Sequence, residues 1–317
     1  MSTSFRKAVN SMPDSVKPVF AGLSAITIAG LFFIIGIKGE LYFLHTDLNG
    51  FSLILNSFNG ETSVVALRSY LTLQTIALFA IPPLVIAWCY GKNIFKLFLL
   101  QTKPPFFFLV CSIILIIFAN PVINLLVEYN GITVDSLLGA SNSLKTEDLN
   151  TQKLVESLLT DTSIFSFLIN TIVVAFLPAV FEELFFRGFL QKVVLRKYVN
   201  VHVAIISTAF FFSFIHFQFY GFIPRFLLGV VFGYILEWSG SLWVTIIIHF
   251  MNNFMAVVSC FLVSRNVIKD TADSIGTGST MWLGFVSAFV VVGIIFLMYR
   301  KYQSFQNAKT TQTSTFA

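Results

Sequence analysis

About eight long, nearly charge-free apolar runs organise this chain, at roughly 19–37, 69–90, 106–127, 164–190, 201–219, 222–237, 241–263 and 281–299. Each approaches the ~20 residues that a helix needs to cross a bilayer. Only 11% of the 317 residues are charged and 56% are hydrophobic, whereas a soluble domain carries roughly 25% charged residues. Water is therefore not the main solvent. A transmembrane barrel would show short alternating segments rather than unbroken runs. The expected fold class is all-α, a polytopic helical membrane protein of about eight transmembrane spans.

Basic residues gather at 6–17, 92–103, 192–197 and 300–309, while those in the alternate loops are mostly mixed with acids. By the positive-inside rule both termini are expected in the cytoplasm, in a multi-pass protein of the cell membrane. The first run has no convincing cleavage site after it and reads as a retained span. Segment 91–103 reads as a basic amphipathic stretch along the cytoplasmic interface. Segment 128–163 reads as a long polar loop with a short helix at 147–159, and the tail from Gln303 reads as disordered. Cys89, Cys111 and Cys260 fit neither a disulfide framework nor a zinc site and read as packing residues. The net charge of +5 is scattered, which points away from nucleic acid. The expected partners are the lipid bilayer and a membrane peptide or protein substrate. Oligomeric state has no signature. The chain divides into N-terminal spans with the polar loop (1–163), a core (164–263), and a last span with its tail (264–317).

One run is different. FLPAVFEELFFRGFL at 176–190 holds Glu182, Glu183 and Arg187 among apolar residues. Ionisable groups inside a membrane are costly and mark functional sites. Glu183 and Arg187 are i,i+4 neighbours on one helix face, where they can form an ion pair. Glu182 points about 100° away and is left free.

Two later runs supply partners. His216 lies in FFSFIHF, and His249 with Asn253 lies in IIIHFMNNF, again at i,i+4; Asn252, at i+3, is less well aligned. If the runs at 164–190 and 201–219 form a hairpin turning near Asn200, Glu182 and His216 each lie roughly 25 Å from the turn along their helices. His249 lies about 13 Å from the turn at Ser239–Gly240 by the same rise. These groups can meet inside the membrane.

The residue types suggest hydrolysis. A carboxylate can take a proton from water and return it, a histidine beside it can hold that water, and a His–Asn pair can donate to an oxyanion. Glu182, His216 and His249 are also a catalytic zinc set, although HExxH, the more specific signature, is absent. Residue types alone do not separate the two.

EELFFR at 182–187, FSFIH at 212–216 and HFMNN at 249–253 together resemble the three motifs of the CPBP family, which includes type II CAAX prenyl endopeptidases and bacteriocin-processing or immunity (Abi) proteins. The stretch 226–243, FLLGVVFGYILEWSGSLW, is similar too, with Gly229 and Gly233 and the SGSLW turn. The resemblance covers roughly 164–263. It implies an intramembrane endopeptidase in which Glu182 is the general base and His216 helps to activate the water. His249 and Asn253 would then form the oxyanion hole, with Glu183 and Arg187 in support. Family members have been described as glutamic and as metalloproteases. The glutamate reading, with no cofactor, is the expectation here, and zinc on Glu182, His216 and His249 the alternative. Hydrolysis would fall within or beside the cytoplasmic half of the bilayer, on a membrane-associated, prenylated or leader-type substrate. A non-enzymatic immunity or partner-binding protein, or a proton-coupled carrier, would use the same residues differently. The lack of an internal repeat weakens the carrier reading.

Overall fold

A computed structural model of the chain describes residues 9, 11–13, 16–56, 61–90, 93–139, 143–269 and 274–315. The described residues contain helices and no strand. In chain order the helices are α1 (Lys17–Phe43), α2 (Leu48–Asn56), α3 (Thr62–Cys89), α4 (Ile94–Leu97), α5 (Phe106–Leu138) and α6 (Ser143–Leu159). They continue as α7 (Ile164–Lys197), α8 (Val201–Phe214), α9 (Phe222–Ser239), α10 (Leu242–Ser264) and α11 (Met281–Thr315). Among the described residues, seven helical segments are long and apolar enough to cross a membrane, one in each of α1, α3, α5, α7, α9, α10 and α11.

The fifth run, at 201–219, behaves differently from its neighbours. α8 starts on an Asn200 cap, whose side chain accepts the Val203 N–H at 3.0 Å, and ends at Phe214. Its 14 residues span ~21 Å, short of the ~30 Å hydrocarbon core. α8 and α9 form a hairpin that reverses at 215–221, beside Asn130 of α5 and Asp148 of α6. Gly229 and Gly233 make the hairpin close. A Cβ on Gly229 would stand 3.1 Å from Ala209 Cβ, and one on Gly233 2.7 Å from Ile205 Cγ2. Lipid tails are as apolar as leucine, so such close packing, with polar contacts, is what holds helices together in a membrane. At the far end Gly240 takes φ +65°, the left-handed cap that ends α9.

α5 carries Pro121 in mid-helix. Proline lacks an N–H and disturbs the preceding turn. Ser287 of α11 repairs the site, its hydroxyl donating to Phe118 O and accepting from Val122 N at 3.3 Å. This ties α11 to α5 beside a core of Phe108, Ile116, Phe232, Ile235, Val244, Ile248 and Met298.

Three further expectations change. Segment 128–163 is mostly helix rather than loop: α5 runs on to Leu138, and α6 starts at Ser143, earlier than expected. Segment 91–103, described from Asn93, makes only the single turn α4. Asn93 caps it by accepting from Phe95 N and Lys96 N, and Phe98 then turns wholly inward against Leu184, Leu236 and Leu242. Phe98 thus anchors this stretch to the bundle, while Phe95 and Lys96 stay exposed. The tail from Gln303 continues α11 to Thr315, because extending an existing helix costs far less than nucleating one. α3 also brings Gln74 and Thr75 to the central cavity.

Candidate active site

α7 is the central element of the site. Ser163 caps it by accepting from Ser166 N at 3.1 Å. Its hydrogen bonding widens to the i→i+5 pattern over Thr171–Phe176 and again over Leu184–Val194, so Glu182 and Glu183 end the regular turns between two π-helical stretches. Such widenings are rare and recur at functional sites. Pro178 gives one local cause. It has no N–H to offer Val174 O, and Asn253 Nδ2 of α10 points to that carbonyl at 3.5 Å instead.

Arg187 and Glu183 form an ion pair, Nη1 to Oε1 at 2.9 Å, with both side chains fully buried. The expected i,i+4 geometry is present. The guanidinium also reaches Gly229 O at 3.5 Å and lies 4.4 Å over the Phe212 ring and 5.5 Å from that of Phe232. A charge out of water needs this many partners.

His249 of α10 comes between the two glutamates. Its Nδ1 is 2.9 Å from Glu183 Oε1, and its Nε2 is 3.9 Å from Glu182 Oε2. A carboxylate paired with Arg187 can only accept, so Nδ1 carries the proton and donates to Glu183. Nε2 is then the nitrogen turned to Glu182. The imidazole sits between Phe212 and Phe232, at ring-centre distances of 6.0 and 5.8 Å.

His216 follows the end of α8, and its Nδ1 is 2.7 Å from Phe212 O. A carbonyl only accepts, so Nδ1 donates and Nε2 keeps a lone pair. Glu182 and His216 line one cavity of about 390 Å³. Its walls are α3 (Leu71, Gln74, Thr75, Leu78), α6 (Thr151, Val155, Leu158) and α7 (Val173, Val174, Pro178). The helical part of the polar segment thus closes one side of the cavity.

The structure brings Glu182, Glu183, Arg187 and His249 into one cluster and sets His216 on the same cavity as Glu182. Asn253 does not pair with His249. It is held instead by Val174 O and by Asn252, whose Nδ2 lies 3.3 Å from Asn253 Oδ1. Asn252 bonds within α10 rather than to a neighbouring span. Ser213 is engaged elsewhere, donating to Phe222 O at 2.7 Å. Sequence reasoning missed Glu183 as the partner of His249 and the aromatic enclosure by Phe212 and Phe232. It also missed Gln74 and Gln218 on the cavity wall. Among the described residues, no three His, Cys, Asp or Glu side chains are grouped as a metal site needs. Glu182, His216 and His249 are not such a group.

The site is thus a buried carboxylate–imidazole cluster beside a cavity lined by α3, α6, α7 and residues 215–218, in a multi-pass membrane protein. Residues 164–255 match the family model for type II CAAX prenyl endopeptidase Rce1-like proteins. This stretch contains all three motifs by which the chain resembles the CPBP family, and the match supports an intramembrane endopeptidase in general terms. No curated protein and no solved structure matches the chain.

Proposed function

We propose that the protein is an intramembrane endopeptidase that uses a glutamate-activated water. The observation that carries this reading is the placement of Glu182 and His216 on one cavity, with His249 behind Glu182 and anchored by Glu183. A water in the cavity donates one proton to the Glu182 carboxylate and the other to His216 Nε2. Its lone pairs are then left for a peptide carbonyl carbon. As the water attacks, Glu182 takes its proton and later passes it to the leaving amine. His249, when protonated, donates from Nε2 to the oxyanion, while Glu183 holds the imidazole by Nδ1 in an orienting role like that of a triad carboxylate. Asn253 fixes the wall at Val174 and has a second amide proton for the same oxyanion. The residues act here without a metal.

The substrate is a membrane-associated peptide or protein segment whose apolar side chains fit the cavity. In this reading both termini are cytoplasmic and the protein is in the cell membrane. The test is Glu182→Gln in the purified protein reconstituted in lipid. General acid–base catalysis contributes typically 10²–10⁴-fold, so cleavage of a verified peptide is expected to fall about that far while the unfolding temperature holds. Full activity of the variant would refute the assignment.

A further inference from the structure

The loop between α8 and α9 contains a feature that the mechanism above does not use. Phe217, between His216 and Gln218, takes φ +53°, although it is neither glycine nor asparagine. A bulky residue in this region is strained, and such strain persists only where the surroundings enforce it. Here the kink lets four consecutive residues, Ile215 to Gln218, line the cavity that holds Glu182.

Arg225, on the first turn of α9, enforces the kink. Its Nη2 donates to Gln218 Oε1 at 2.6 Å and its Nη1 reaches Gln218 O at 3.5 Å, so one guanidinium holds both the side chain and the main chain of that residue. Among the described residues Arg225 has no carboxylate within ion-pair distance, although it is within electrostatic reach of Glu182 and Asp148. Its firm polar contact is therefore the amide of Gln218. Arginine only donates, so the oxygen of that amide must face it. The two Nε2 protons are then turned the other way, and among the described residues no hydrogen bond uses them.

We propose that Gln218 is a substrate-binding residue of the endopeptidase site, its Nε2 donating to a main-chain carbonyl of an extended peptide in the cavity, and that Arg225 is its positioning residue. The ligand class is a peptide segment with a free carbonyl near the scissile bond. This assignment rests on the endopeptidase reading.

Gln218→Glu provides the test, because glutamate keeps the acceptor that Arg225 holds and loses both donors. The full chain in lipid nanodiscs is offered a synthetic library of apolar decapeptides, cleavage is read by mass spectrometry, and the best-cleaved member becomes the probe. For Gln218→Glu, KM is expected to rise on the order of tenfold, as for one lost hydrogen bond, with kcat within about threefold of wild type. The unfolding temperature is expected to stay unchanged and the KM defect to be flat with pH. Arg225→Ala is expected to show a similar KM defect, and the double variant no more than either alone, because the two residues act as one unit. A wild-type KM in Gln218→Glu, or a defect that follows pH as charge repulsion would, overturns the proposal. A wild-type protein that cleaves no library member refutes the endopeptidase reading itself, and this assignment with it.

Discussion

Glu183 holds His249: the Glu183 Oε1 to His249 Nδ1 distance is 2.9 Å across two helices, and the same oxygen is 2.9 Å from Arg187 Nη1. One carboxylate oxygen thus joins a cation that neutralises it to an imidazole that it orients. Structural and chemical roles meet at one atom, and substitutions can separate them.

Arg187→Ala leaves Glu183 as an uncompensated buried charge, and it is expected to cost about 3–5 kcal/mol of stability. Replacing both members with methionine is expected to recover most of that loss, since buried pairs exchanged for well-packed apolar residues are often neutral. Activity should not return in the double variant, because His249 has lost its anchor. Thermal unfolding in detergent and peptide cleavage, measured on the same samples, check both halves.

Gly233→Leu is expected to destabilise by about 1–3 kcal/mol, as overpacking does. The new side chain would start 2.7 Å from Ile205 Cγ2 and 3.0 Å from Gln191 Oε1. Gly30→Ala in α1 is the control, because nothing stands within 4 Å of that Cβ position. It should leave unfolding unchanged or raise it slightly, alanine being the better helix former.

Asp161, just before α7, accepts hydrogen bonds from Ser166 Oγ and from Ser163 N, the latter at 2.8 Å. The Ser166 bond first, and then the backbone bond from Ser163, hold its carboxyl below the usual range. A depressed folded-state value means that its stabilising contribution is present above the ordinary carboxylate pKa of about 3.9. That contribution is lost as pH falls through the lowered value. Asp161→Asn should therefore flatten the acid limb of the stability profile and reduce stability at pH 7.

Asp148 has the opposite sign. Burial in α6 pushes its carboxyl up, only partly offset by the Tyr220 N–H that it accepts at 2.8 Å. A raised value gives a contribution that is full below about pH 3.9 and lost as pH rises through the folded-state value. Asp148→Asn keeps an acceptor for Tyr220 and is expected to raise the unfolding temperature at pH 7, with the gain shrinking toward pH 4.

Much of this site was legible because helix periodicity carries it. The ion pair of Glu183 and Arg187 follows from their spacing, and the separation of Glu182 from that pair follows from the turn angle. The partner of His249 was not legible by the same rule. A nearby amide at i+4 competes with a buried carboxylate on another helix, and the charge-assisted bond wins. The reversal at 215–221 was hidden for another reason: it depends on main-chain groups that no side-chain pattern reports. The continuation of α5 and the early start of α6 were obscured by polar composition, since the helices there are defined by what they cover.

The reversal at 215–221 leaves irregular backbone between two helices of the bundle, and non-helical segments in membrane proteins need protein partners for their peptide groups. Asn130 of α5 donates to Phe219 O at 2.7 Å and to Tyr220 O at 2.6 Å, and Asp148 of α6 accepts the Tyr220 N–H at 2.8 Å. Those donors and acceptors lie outside residues 164–255. The recognisable motif region is therefore smaller than the folding unit, and a fragment cut to its limits would lack the groups that stand in for solvent at its own loop.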